Sequence, residues 1–199
     1  MVLASASPRR AEILEGLGIP FRVRPASVDE SVHPGEAPGP HVERLARAKA
    51  EAVARHEGPD TPILAGDTIV VLGDAILGKP ADDEAAVRML LSLAGRDHHV
   101  LSALALAYRG QVHAGVSRTR VRFRAFDEEM ARAYVRTGEP ADKAGGYGIQ
   151  GLGAVLVEEV EGDWSGVVGL PISLLVRLLD AAGLGYRFPD SLRGEAGEG

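Results

Sequence analysis

Strands and helices alternate along this 199-residue sequence, which therefore reads as an α/β fold. Three observations carry that reading. The chain opens on an apolar run, Met1-Val2-Leu3-Ala4, then a tight turn, then an amphipathic run from Ala11 to Gly18. A longer apolar run, Pro62 to Leu72, reads as a buried central strand. Two long alternating runs, His98 to Tyr108 and Gln111 to Phe126, meet at Arg109-Gly110 and read as a strand pair, with helical patterns on either side.

Taken in order, the first unit is strand, loop, helix. Ser7 suits an N-cap whose hydroxyl accepts a first-turn amide, Pro8 suits the first helical position and Gly18 the stop. Ser5-Ala6-Ser7-Pro8-Arg9-Arg10 thus gathers hydroxyls, two guanidinium groups and the positive end of a helix at one spot. That spot suits a phosphate, or is an ordinary capped helix with two exposed arginines. Ile19 to Pro25 alternates as a strand. Ala26 to Pro40 is a loop of a length that is usually functional or disordered. Its Asp29 and Glu30 are magnesium-facing carboxylates or solvated loop acids.

His41 to His56 reads as a helix with Val42, Leu45, Ala46, Ala48, Ala52 and Val53 on its apolar face. Asp67 interrupts the apolar strand that follows. A buried carboxylate is costly unless paired or on a metal, so Asp67 is a functional candidate, with Gly66 beside it allowing close approach of a ligand or a backbone bulge. Gly73-Asp74 signals a hairpin, and Lys79 falls at a strand end or loop. Asp82 or Asp83 caps a helix through Leu93, with Ala86, Met89, Leu90 and Leu93 inward and Gly95 as its stop.

In the second long strand, Arg118, Arg120, Arg122 and Arg124 alternate with Thr119, Val121, Phe123 and Ala125, so all four arginines share one face. Without interleaved aromatics this reads as the wet face of a ribbon, not a nucleic-acid stripe. Asp127-Glu128-Glu129 opens a helix to Thr137. Four glycines between Gly145 and Gly151 make a loop whose backbone can approach a flat ligand. Leu152 to Val160 reads as a strand, Glu161 to Trp164 as a turn, and Pro171 starts a last helix stopped by Gly183. One domain over 1–188 and a frayed tail over 189–199 are expected.

Composition narrows the function classes. The net charge of −6 makes a poor general binder of nucleic acid. An anion must then be held by a local cluster of cations, where a close charge pair is worth roughly 4 kcal/mol at an effective dielectric of about 20. Of 22 basic residues only three are lysine, Lys49, Lys79 and Lys143, and each is a candidate for a site needing a compact ammonium. With no cysteine, disulfides and thiolate metal sites are excluded. No run has transmembrane length and no signal-peptide order is seen at the N-terminus, so a cytoplasmic location is the expectation.

Six stretches stand in a fixed order: Ser5-Ala6-Ser7-Pro8-Arg9-Arg10, Val28-Asp29-Glu30, Leu45-Ala46-Arg47-Ala48-Lys49-Ala50, Gly66-Asp67-Thr68-Ile69-Val70, Gly78-Lys79-Pro80 and Asp142 to Gly151. With Gly95-Arg96 and Val167 to Pro171, they closely resemble the Maf family of nucleoside triphosphate pyrophosphatases, from about Val2 to about Gly183. The resemblance implies a long, twisted mixed sheet flanked by helices, related to the inosine-triphosphate pyrophosphatase fold, with a cleft between two lobes. It implies cleavage of a nucleoside triphosphate to monophosphate and pyrophosphate with a divalent cation, Mg²⁺ or Mn²⁺. The Gly-Tyr-Gly-Ile-Gln-Gly form resembles the subgroup acting on dTTP and UTP.

Carried over by position, Asp67 matches the proton acceptor; Arg10, Thr68 and Gln150 match positions tied to base choice; and Ser5, Arg9, Glu30, Lys49 and Lys79 match other site positions. On this reading Ser5, Arg9, Lys49 and Lys79 hold phosphates, and Glu30 with Asp67 holds the metal. Gly66 stands in place of the usual Ala, and Trp164-Ser165-Gly166 in place of a Tyr-centred triplet. The expected partner is a nucleotide, not nucleic acid or a membrane, with a homodimer left open. The alternative is a non-catalytic, nucleotide-binding regulator of septum formation.

Overall fold

A computed structural model describes residues 1–189, so all of the expected tail except Pro189 lies outside the described residues. Seven strands form one mixed sheet. They are β1 (Val2–Leu3), β2 (Arg22–Val23), β3 (Ile63–Leu72), β4 (Ala75–Leu77), β5 (Asp97–Tyr108), β6 (Gln111–Phe123) and β7 (Val157–Glu161). The order is β2-β1-β3-β5-β6-β7, with β4 paired to β3 off that path. β1 runs parallel to β2 and β3, and the remaining pairs are antiparallel. The helices are α1 (Pro8–Gly16), α2 (Pro38–Ala54), α3 (Asp83–Leu93), α4 (Glu128–Val135), α5 (Trp164–Val168) and α6 (Ile172–Ala181). This is the expected α/β mixed sheet flanked by helices.

The core divides by sheet face, as the two-residue period of a strand requires. α2 lays Val42, Ala46, Ala50 and Val53 on Ile63, Ala65, Ile69 and Val71 of β3 and on Leu101, Ala103 and Ala105 of β5. On the other face, α1 and α6 pack Leu14, Leu174, Leu175 and Leu178 against Leu3, Leu64, Leu104 and Leu106. A third cluster, around Phe123, Leu90, Leu93, Tyr134 and Tyr147, joins α3 and α4 to the sheet. Each fully buried leucine contributes roughly 1.5–3 kcal/mol by area removed from water.

The β5–β6 hairpin turns on Arg109 at φ 49° and Gly110 at φ 76°, both left-handed as a two-residue hairpin demands. Two arginines of the β6 face are paired by their neighbours. Arg120 pairs with Asp97, Glu159 and Glu161, and Arg122 with Glu158. The arginine side of β6 is thus the wet face of a ribbon. Asp82 and Asp127 cap α3 and α4 by accepting the amides of Ala85 and Met130.

Four local expectations are corrected. The strand over 19–25 is only two residues long. Ser7 is the residue before α1, but its hydroxyl caps nothing; instead its amide donates to Ser5 Oγ at 3.2 Å. Residues Leu152–Leu156 form a 3-10 turn and pairing begins only at Val157, because Glu139 captures the amides of Leu152 and Gly153. The predicted turn at Trp164 is α5, capped by the Asp163 carboxylate, which accepts the Gly166 amide.

One topological feature makes the cleft. β1 pairs with β3 only at Ile63 and Leu64, and β4 pairs with it only from Val70 to Leu72. Between them, among the described residues, Ala65 to Ile69 has a strand partner on the β5 side alone. Asp67 and Thr68 therefore lie on an open stretch of edge, beside the carboxyl end of β1, where α/β sheets commonly bind ligands.

Candidate active site

The open edge floors a cleft of about 980 Å³. All nine predicted site residues line it: Ser5, Arg9, Arg10, Glu30, Lys49, Asp67, Thr68, Lys79 and Gln150. They come from six separate stretches of chain. Lys143, singled out only as one of three lysines, lines it as well.

Successive positions on β3 point to opposite faces, which explains the division of labour. Asp67 shares the α2 face. There His41, Leu45 and Lys49, spaced by four, form one stripe of α2 along the cleft. Lys49 Nζ lies 2.7 Å from Asp67 Oδ1 and 2.6 Å from Glu30 Oε1. The Lys49 and Asp67 side chains are 12% and 13% exposed, so each compensates a charge that burial alone would penalise. The hydrogen bond from Lys49 holds the Glu30 carboxyl below its usual range against a smaller opposing effect of burial, and the fields of Lys49, Lys79 and Arg10 add to it.

Glu30 reaches this pair from the long loop because that loop is clasped to α2. The Glu36 carboxylate accepts from Arg44 Nε at 2.6 Å and from the His33 amide at 3.1 Å, and bonds His41 Nδ1 at 3.0 Å. Arg44 also donates to the Ser31 carbonyl.

Thr68 faces the other side, where Arg10 lies over Gly66. Arg10 donates from Nε to the Gly169 carbonyl at 2.8 Å and from its terminal nitrogens to Ser5 Oγ at 2.9 Å and Thr68 Oγ1 at 3.0 Å. Burial lowers its pKa, opposed by the nearby Asp67. A methyl at Gly66 would come within 3.1 Å of Arg10 Nε, so glycine here leaves room for the guanidinium. The arginine thus staples the opening loop, β3 and the segment before α6. Ser5 accepts from Arg10 and from the Ser7 amide, leaving its own hydroxyl proton to donate.

Arg9 faces the glycine-rich loop, with its terminal nitrogen 3.3 Å from Asp142 Oδ2. Lys79 is exposed, and among the described residues it has no ion-pair partner. Gln150 stands exposed on the cleft wall.

The glycines of that loop were expected to admit a flat ligand. Three of the four lie against the protein's own side chains. A Cβ at Gly151 would lie 2.4 Å from Glu139 Oε2, one at Gly148 2.7 Å from Lys143 Cε, and one at Gly145 2.8 Å from Val70. Glu139 and Tyr134 do not stand out in the sequence, and Tyr147 does so only as part of the Gly-Tyr-Gly-Ile-Gln-Gly motif. Glu139 lies beside the recognised motif, and a carboxylate next to a proline and a run of glycines was its only signal.

The metal expectation meets a donor set that fits it. Two carboxylates, Glu30 and Asp67, converge on one ammonium. Among the described residues no cluster of three or more His, Cys, Asp or Glu side chains is placed to hold an ion. One or two carboxylates completed by substrate phosphates is the way proteins ordinarily hold Mg²⁺. No described helix is long and apolar enough to cross a membrane.

The sequence has relatives. A protein of Methylobacillus flagellatus named dTTP/UTP pyrophosphatase is 48% identical over 183 residues, covering 92% of each chain. One of Halalkalibacterium halodurans with the same name is 49% identical over 189 residues, 94% of this chain and 98% of that one. One of Myxococcus xanthus, again so named, is 52% identical over 185 residues, 92% and 93% of the two. A family model described as Maf-like protein matches residues 1–182. With its motifs gathered in one cleft and relatives of this closeness along nearly its whole length, the chain belongs to the Maf-like protein family.

Proposed function

We propose that this chain is a nucleoside triphosphate pyrophosphatase that hydrolyses dTTP and UTP to the nucleoside monophosphate and pyrophosphate. The observation that carries it is Asp67: a largely buried carboxylate on an apolar strand, opening into a cleft that also holds Arg9, Lys49 and Lys79. The shared name of the relatives supports the substrate class.

On this reading Arg9, Lys49 and Lys79, with Ser5 and the start of α1, bind and orient the triphosphate that the acidic remainder of the surface repels. Asp67 takes the proton from a water whose oxygen attacks the α-phosphorus, and the bond from that phosphorus to the α–β bridging oxygen breaks, releasing pyrophosphate. Glu30 and Asp67 would hold Mg²⁺ or Mn²⁺, which supplies charge neutralisation at the phosphates. As phosphates enter, Lys49 is placed to exchange part of its carboxylate contact for theirs. Gln150 offers one donor and one acceptor, matching the imide edge of thymine or uracil, and a site built for that edge rejects mismatched bases. Arg10 acts on base choice by fixing Thr68.

The test is product analysis on a panel of triphosphates with Mg²⁺ or Mn²⁺. Pyrophosphate from dTTP and UTP, well ahead of dATP, GTP and CTP, supports the proposal. Equal rates across the panel overturn the substrate assignment. Nucleotide binding without any pyrophosphate release would leave the regulator reading.

A further inference from the structure

We propose that Glu139 is a positioning residue whose carboxylate folds the 148–153 turn and thereby sets Gln150 on the cleft wall. The role assigned to Gln150 rests on the function proposed above; the folding of the turn does not.

Glu139 begins the 3-10 turn Glu139–Asp142 that follows α4. Its Oε1 accepts the Tyr134 hydroxyl at 2.7 Å and the Gly153 amide at 3.0 Å, and its Oε2 accepts the Leu152 amide at 2.8 Å. The Tyr134 oxygen in turn accepts the Gly148 amide at 3.0 Å. The two ends of the Gln150 turn are therefore tied to one carboxylate, directly at 152 and 153 and through one phenol at 148. Bonds to an ionised acceptor are shorter and stronger than neutral ones. Burial pushes the Glu139 carboxyl up, while these donors and nearby Lys143 more than reverse the effect, so it is held ionised.

Glycine is needed for this closeness. A side chain at Gly148 would meet Glu139 Oε1 at 3.0 Å and Lys143 at 2.7 Å, and one at Gly151 would overlap the carboxylate. Apart from bonds internal to the 3-10 turn Leu152–Leu156, its own backbone bonds are Gly151 N to the Gly148 carbonyl at 3.4 Å and Ala154 N to the Gly151 carbonyl at 3.1 Å, and Ile149 packs against the Phe123 cluster. Lys143 adds a separate tie, from Nζ to the Glu139 carbonyl at 2.7 Å, which a side-chain substitution at 139 leaves in place. A preset turn spares the nucleotide the entropy of ordering it.

Two variants, Glu139→Ala and Glu139→Gln, separate this role from mere support of the fold. Glutamine keeps one oxygen for Tyr134 and Gly153 but presents an NH₂ to the Leu152 amide, so it falls between wild type and alanine and serves as the folded control. In Glu139→Ala, hydrogen exchange at the Leu152 and Gly153 amides accelerates by about tenfold or more, with the β5–β6 hairpin unchanged. KM for UTP rises about tenfold while kcat changes by less than about threefold, and the UTP-to-CTP preference falls. Wild-type exchange at both amides overturns the proposal whatever the activity. So does an active Glu139→Ala enzyme with wild-type KM and preference, or one that loses kcat alone. If the wild-type protein releases no pyrophosphate, the proposed activity fails, and the exchange measurement alone decides whether Glu139 folds the turn.

Discussion

Acidification should weaken this fold through one histidine. His98, on β5, is 1% exposed, set edge-on against Phe123 and Tyr147. Its Nε2 bonds the Tyr147 hydroxyl at 2.9 Å, and its Nδ1 has no partner. Burial lowers its pKa from 6.5 to about 4; the neighbouring His99 helps, and Asp97 opposes. Well above pH 6.5 the imidazole is neutral in both folded and unfolded chains and contributes no pH dependence. As pH falls below that value, the unfolded chain takes up a proton that the folded one refuses, so stability drops, levelling off below about 4. At about 1.4 kcal/mol per pH unit, the displacement from 6.5 to about 4 amounts to roughly 3 kcal/mol, of which about 2 kcal/mol is lost by pH 5. Against a typical stability of about 5–15 kcal/mol that loss is readily measured. The assay is urea unfolding of wild type and His98→Gln at pH 7.5 and pH 5. Glutamine can still bond Tyr147 but does not titrate, so its loss between the two pH values should be smaller by about 2 kcal/mol. Equal losses in the two proteins would refute the argument.

Two further outcomes are expected. Gly145 sits at φ 73° with Val70 2.8 Å from where a Cβ would be, so Gly145→Ala should destabilise by about 1–3 kcal/mol in urea unfolding; a change under about 0.5 kcal/mol would show that the loop yields freely. Chelation with EDTA should abolish UTP turnover and added Mg²⁺ or Mn²⁺ restore it, whereas full activity in EDTA would remove the metal role given to Glu30 and Asp67.

Much of the framework was legible because its signals are local. Alternation and an Arg-Gly turn place the β5–β6 hairpin, and aspartates placed before two helices do cap them. The arginine stripe was legible as a solvated face, but its partners on β7 were not, since sheet neighbours are set by topology. Where local reading erred, a distant group competed. Leu152 to Leu156 has strand-like apolar residues, yet a carboxylate from residue 139 takes its first amides and bends it. Ser7 stands where a cap belongs, yet Ser5 and Arg10 organise that loop instead.

The site followed the same division. Asp67 stood out as a charge in an apolar run and Lys49 as one of three lysines, and the fold brings them within 2.7 Å. That Lys49 also binds Glu30, and that Glu36 clasps the Glu30 loop to α2, depends on contacts the sequence does not order. The glycines of the 145–151 loop were visible as a need for close approach. Which group approaches was not, because glycine marks a space and not its occupant.

In the proposed reaction Asp67 removes a proton from the water that attacks the α-phosphate. The most direct test of that step is pyrophosphate release from UTP by wild type and by Asp67→Asn, with nucleotide binding measured on both. Binding should be retained and turnover reduced by about 10²–10⁴, the usual worth of a general base. Wild-type turnover in Asp67→Asn, or orthophosphate as the first product of the wild-type enzyme, would contradict it.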